Sequence, residues 1–245
     1  MSGRHVAFVG DVHLERDDPE LGAFLRMLER VAGSARTIVF LGDLFNLWVA
    51  RDEFEGAHHR AVLGAFDGLR RAGVEVSYVE GNRDYRVARR YGGTLIGRAA
   101  EGALTLEHAG RRIVAVHGDL ANSRDRQYRT WRRISRSPWF WRLFLCVPVG
   151  RRAALADRLE SRMRSSNLAY KGEFPETEVR SYAERFFREG ADLVVLGHFH
   201  VERVLAAVPP SPRGTAIVLP EWKGSKRHLR VGPDGEAEFV DDRES

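Results

Sequence analysis

Seven residues able to ligate a metal lie along the chain in the order Asp11, His13, Asp43, Asn82, His117, His198 and His200. Asp11 and His13 are two apart, as are His198 and His200, so in extended backbone each pair projects to one side and can converge on one centre. Asp43 follows Gly42, and its two carboxylate oxygens make it the natural bridge between two cations. The expected sets are Asp11, His13, Asp43 and His200 on one ion, and Asp43, Asn82, His117 and His198 on the other. Two cations roughly 3.5–4 Å apart lower the pKa of a water between them, hold a phosphate oxygen and offset charge building on phosphorus during in-line attack. No serine or cysteine nucleophile is then required. Nitrogen and oxygen donors without thiolate suit manganese, iron or zinc, and four imidazoles argue against magnesium alone.

Each of these residues falls at the end of a short apolar run: Val6 to Val9, Ile38 to Leu41, Val74 to Val79, Ile113 to Val116 and Leu193 to Leu196. Such β-branched runs read as buried strands, and neighbouring parallel strands bring their C-terminal loops to one edge. Leu21, Phe24, Leu25, Leu28 and Val31 fall at helical spacing before Gly33, and Val62, Phe66 and Leu69 repeat the pattern before Gly73. This alternation predicts βαβ units and a parallel sheet. Leu104 to Glu107 and Arg112 to Val116, separated by Ala109 and Gly110, predict a hairpin, which makes the sheets mixed. Between His117 and Asp192 helical patterns dominate, ending in a helix with Val179, Tyr182, Ala183, Phe186 and Phe187 on its inner face. Strands return at Val201 to Leu205, Ala216 to Leu219, His228 to Val231 and Ala237 to Val240.

At 245 residues, 43% apolar and 30% charged, the composition is that of a globular protein, one domain over 1–245 with an insertion. The single Cys146 excludes an internal disulfide and reads as a buried thiol. Neither a leader peptide nor an 18-residue apolar run is expected, which points to the cytoplasm. The net charge of +5 is uneven. Residues 121–165 hold twelve arginines against Asp125, Asp157 and Glu160, a local balance of +9, interleaved with Trp131, Trp139, Phe140, Trp141 and Phe144. Basic and aromatic residues together suit an anionic amphiphile or membrane surface. His58 and His59 read as solvated, and His5, His108 and His228 lack partners at ligand spacing.

The segments Gly10 Asp11 Val12 His13, Gly42 Asp43, Gly81 Asn82 Arg83 Asp84, His117 Gly118 Asp119 and Gly197 His198 Phe199 His200 resemble the signature set of the calcineurin-like metallophosphoesterases. The resemblance implies an α/β fold, a four-layer αββα sandwich with mixed sheets, covering the chain outside a helical insertion at 120–172. The finer resemblance is to the bacterial UDP-2,3-diacylglucosamine diphosphatases of lipid A synthesis, in which an arginine, here Arg83, follows the motif asparagine. Trp48, Asp119, Asp125, Tyr128 and Trp131 are similar in spacing, as are Pro138 Trp139, Leu143 Phe144 Leu145 and Arg162 Met163 Arg164. The chain departs from that pattern at Leu120 to Arg124. It matches the family's serine, asparagine and lysine cluster only approximately with Ser166, Asn167 and Lys171.

That resemblance implies two divalent ions, with Mn2+ the choice, and attack of water on the α-phosphorus of a UDP-linked diacylated glucosamine lipid. Arg83 and Asp84 are the catalytic candidates, Asp84 as an outer acceptor that orients a ligand. Substrate contacts are expected from Trp48, Arg83, Asp125, Tyr128, Trp131, Phe144, Arg164, Ser166, Asn167, Lys171 and His198. The insertion would take acyl chains and meet an anionic membrane, a peripheral site on the cytoplasmic face of the inner membrane. Neither nucleic acid nor an obligate protein partner is expected. The alternatives are another calcineurin-like phosphodiesterase or nuclease, and a noncatalytic lipid-binding module.

Overall fold

The computed structural model describes residues 4–123, 125–152, 154, 155, 158, 174–208 and 214–243. The apolar runs form β1 (His5–Val9), β2 (Ala35–Phe40), β4 (Glu75–Val79), β8 (Arg111–Val116) and β9 (Leu193–Leu196). A six-stranded sheet has the order β13-β12-β1-β2-β4-β6, with β6 at Arg98–Ala100, β12 at Arg227–Val231 and β13 at Ala237–Asp241. In it β1, β2, β4 and β6 are parallel, while β12 and β13 add antiparallel strands at one edge. The second sheet has five strands, β10-β11-β9-β8-β7, with β7 at Ala103–His108, β10 at Arg203–Leu205 and β11 at Thr215–Val218. The hairpin joining β7 to β8 turns at Ala109 and Gly110, φ 51° and 71°, values that match the twist of its strands.

Alternation along the strands builds the layers. Val6 and Phe8 face Ile113, Ala115, Leu193 and Val195 of the other sheet, whereas Ala7 and Val9 face α1 (Leu21–Ala32) and α2 (Ala57–Arg71). On the far side, α6 (Glu176–Arg188) lays Val179, Ala183, Phe186 and Phe187 on Val114, Val116, Val194 and Leu196. Strands buried on both faces must be apolar almost continuously, which is why these runs stand out. The result is an αββα sandwich.

Three features differ from expectation. His58 and His59 are buried, because the start of α2 turns them onto Phe45, with centroids 5.6 and 4.2 Å away. Cys146 is exposed, at the end of α5 (Pro138–Cys146). A short parallel ribbon of β3 (Trp48–Val49) and β5 (Asp84–Tyr85) lies outside both sheets. Between β8 and α6 the described helices include α4 (Arg126–Ser135) and α5. Among the described residues, no helix is long and apolar enough to cross a membrane.

Candidate metal centre

The loops leaving β1, β2, β4, β8 and β9 meet at one edge of the sandwich and bring all seven candidate ligands together. The first loop is tied to the second by backbone hydrogen bonds from Asp11 to Gly42, His13 to Asp43 and Leu14 to Leu44, of 3.2, 3.0 and 2.9 Å. Asp11 and His13 both have φ 52°, Asp43 51°, His198 75° and His200 56°. The Asp-x-His and His-x-His pairs therefore converge through left-handed backbone, in place of the extended geometry expected from spacing. Asp and His tolerate this region better than most side chains, and such strain clusters at functional sites. Gly42 has φ 82°, and a methyl at Gly81 would overlap the Asp43 carboxylate, so both glycines are needed for the loops to approach.

Two groups of donors result. Asp11, His13 and His200 offer atoms within 4.8 Å of one another, and so do Asp11, Asp43 and His117. His13 Nε2 and His200 Nε2 are 3.2 Å apart and face Asp11 Oδ1 at 3.9 and 3.6 Å. Asn82 Oδ1 lies 2.9 Å from His117 Nε2 and 3.0 Å from His198 Nδ1, and Asp43 Oδ1 is 3.8 Å from His117 Nε2. Burial opposes ionisation of Asp11, yet the surrounding imidazoles hold its carboxyl below the ordinary range. Burial likewise opposes charge on His200, but the Asp11 carboxylate pushes it up to about 9. Burial and then the His117 ring bring His198 down to about 4.

Asp11 Oδ1 and His13 Nδ1 are buried without a hydrogen-bond partner. An orphaned buried carboxylate oxygen faced by two imidazole nitrogens fits a divalent cation, which would satisfy donors that otherwise go unpaired. The neighbouring contacts hold the donors in place. His198 N–H donates to Asp11 Oδ2 at 2.6 Å, and Leu41 O lies 2.6 Å from His117 Nδ1. Asp84 is fully buried and its Oδ2 accepts from Asp43 N, Gly81 N and the Tyr78 hydroxyl at 3.0, 2.7 and 2.9 Å. It orients the loops of Asp43 and Gly81.

The substrate candidates divide. Arg83 is buried with Nε 3.4 Å from Asp43 Oδ2. Trp48 does not line an open surface: it is fully buried, packed on Phe45 and Tyr78, with its indole N–H on Glu55 Oε1 at 3.0 Å. Asp125 caps α4, accepting from Tyr128 N at 2.8 Å, and the Tyr128 hydroxyl donates to Asp119 Oδ2. Trp131 and Phe144 line an apolar cavity of about 220 Å³ together with Leu47, Val49, Tyr85 and Trp141. Arg164, Ser166, Asn167 and Lys171 lie outside the described residues. Sequence reasoning passed over Glu80, a buried carboxylate at the end of β4 whose partner is Arg136. Its signal was an acid immediately after an apolar strand, a position that demands a buried partner.

Fold and site together define a phosphoesterase-type αββα sandwich with a divalent metal centre. The chain belongs to the calcineurin-like phosphoesterase family, whose model matches residues 4–202. Its relatives include the UDP-2,3-diacylglucosamine hydrolase of Aeromonas salmonicida (strain A449), 31% identical over 88% of this chain and 85% of that one. The protein of the same name from Ralstonia nicotianae is 32% identical over 89% and 83%. Among solved structures, a conserved uncharacterized protein of Streptococcus pneumoniae TIGR4, a predicted phosphoesterase, matches 99% of this chain and 92% of that one, with 13% identity and a TM-score of 0.49.

Proposed function

We propose that this chain hydrolyses the pyrophosphate of UDP-2,3-diacylglucosamine to UMP and 2,3-diacylglucosamine 1-phosphate, as the names of its relatives suggest. The observation that carries the reading is the direct join between the ligand loops and the apolar cavity. Val49 and Tyr85 pair in the β3–β5 ribbon and both line that cavity, while Asp43 and Asn82 stand a few residues before them. A phosphate at the ligands would leave an acyl chain beside Tyr85, Trp131 and Phe144.

Asp11, His13, Asp43 and His200 would hold one cation, and Asp43, Asn82, His117 and His198 the other, with Mn2+ the choice. Two such ions would supply a water of lowered pKa for attack on the α-phosphorus and offset the charge that builds there. Arg83 gives a fixed fork of donors for phosphate oxygens. The leaving group is itself a phosphate, whose second pKa is near 6, so it departs without the general acid an alkoxide needs. The reading of 120–172 as an insertion is supported, among its described residues, by α4 and α5, which stand between β8 and α6. Trp139 and Leu143, 75% and 74% exposed, favour a peripheral position on the cytoplasmic face of the inner membrane.

Turnover of UDP-2,3-diacylglucosamine in Mn2+ with heavy-oxygen water tests the reading. UMP carrying the heavy oxygen is expected. Absence of UMP, or faster cleavage of simple phosphodiesters, would overturn it.

A further inference from the structure

Among the described arginines of the basic segment, Arg132 and Arg136 reach the acids beside the ligand loops. Arg132 and Arg136 lie one helical turn apart, on and just beyond α4, and so project from the same side. Arg132 Nε is 2.6 Å from Asp119 Oδ2, the oxygen that also accepts from the Tyr128 hydroxyl. Asp119 stands two residues past His117. Arg136 Nη1 is 2.5 Å from Glu80 Oε2, and its Nη2 donates to Gly81 O at 2.5 Å. Glu80 and Gly81 immediately precede Asn82. Both acids are buried, Glu80 completely. The other oxygen of Glu80 accepts from Ala88 N at 2.8 Å.

A buried carboxylate that loses its only cation is left uncompensated, a far larger penalty than the pair's net contribution. Undocking of α4 therefore carries a cost at the two acids that stand beside the loops carrying His117 and Asn82. The loop of Asp11 and His13 is held without direct contact from α4. Backbone bonds to Gly42 and Asp43 hold that loop, and among the described residues α4 makes no hydrogen bond or ion pair with either ligand.

We propose that Arg132 and Arg136 are positioning residues that brace the Asn82, His117 and His198 half of the ligand cluster and couple cation binding there to docking of α4. The inference rests on the two-cation reading above. Coupling of this kind is reciprocal. Because α4 carries Trp131 and Ser135 into the wall of the apolar cavity, a cation on that half of the site steadies the wall, and a seated wall tightens the cation.

Mn2+ binding to the full chain, followed by the signal of the free ion, tests the coupling without substrate. The wild type is expected to bind two ions. Arg136→Gln should weaken one step by about 10–100-fold, the usual cost of an outer-shell partner, and leave the other unchanged. Arg136→Lys should recover part of the loss, because a lysine still neutralises Glu80. Arg133→Gln, on the exposed face of α4, should have no effect. In the wild type, Mn2+ should also slow hydrogen exchange of α4 amides, a measurement that needs no variant. Two ions bound by the wild type with unaltered or equally weakened steps in Arg136→Gln, or α4 exchange indifferent to Mn2+, would overturn the coupling alone. Fewer than two ions in the wild type would overturn the two-cation reading and this inference together.

Discussion

At the ligand cluster, side chains from five strand ends are held by backbone hydrogen bonds, left-handed φ values and glycines that leave no room for a methyl. The wall made by α4 and α5 has another construction: stacked aromatics around an open cavity, with Trp139 and Leu143 turned to solvent. The cluster is dense in polar atoms whose positions are over-determined, as electrostatic catalysis requires. The wall is apolar and adaptable, as a chamber for a flexible chain would be. Changes to the cluster should therefore act on the chemical step, and changes to the wall on recognition.

Asp43→Ala separates the two most sharply. Its carboxylate lies 3.8 Å from His117 and 3.4 Å from Arg83, so loss of activity should exceed the roughly 10–100-fold cost of an outer-shell partner. The loss should fall on kcat whatever the acyl length of the substrate. A fall in kcat confined to long-chain substrates would break the contrast. Phe144→Ala should act in the opposite sense. Removing a ring that stacks on Phe54 and Phe140 forfeits about 1.5–3 kcal/mol of apolar contact if an acyl chain covers it, so KM should rise about tenfold or more with kcat nearly unchanged. Equal effects on acylated and unacylated UDP-glucosamine would sink the chamber. Leu143→Ser should weaken binding to anionic vesicles by a smaller factor and leave turnover in detergent intact.

The cluster was legible in the sequence because ligand types recur after apolar strands, a joint pattern that packing alone has no reason to produce. Its backbone geometry was not, since spacing of two suggests extended chain and nothing in the residue types announces left-handed φ at Asp11 or His200. The strands, the helices and the mixed sheets followed from periodicity and the αββα layering from the family resemblance, whereas the β3–β5 ribbon is too short to leave a period. Composition located the wall, and the family resemblance added Trp48 to the substrate contacts. Trp48 looks like an aromatic free for a ligand until its neighbours Phe45, Tyr78 and Tyr91 are seen to enclose it. The basic surplus also overstates the free charge, because Arg132, Arg136 and Arg152 pair with Asp119, Glu80 and Glu53.

Behind the ribbon that joins cluster to wall, Phe45 and Trp48 pack on His59, and the rigidity of this backing tests how far the cluster's order extends. Burial, and then the neighbouring His58, lower the His59 ring from 6.5 to about 3. Its Nδ1 accepts from Gly56 N at 3.2 Å, which requires the neutral form. Because the folded pKa lies below the unfolded one, this contribution is complete above about pH 6.5 and is lost as pH falls toward 3, by up to about 1.4 kcal/mol per unit. Between pH 7 and pH 5 the wild type should lose about 2 kcal/mol from this residue. His59→Phe keeps the ring packing, sacrifices about 1 kcal/mol of hydrogen bonding at pH 7 and removes that acid component. His5, lowered to about 4 chiefly by burial, contributes equally to both proteins and cancels. Urea midpoints at pH 7 and pH 5 decide the matter: a parallel decline in both proteins would mean that His59 accepts a proton within the fold, and that the ordered region ends at the ligands themselves.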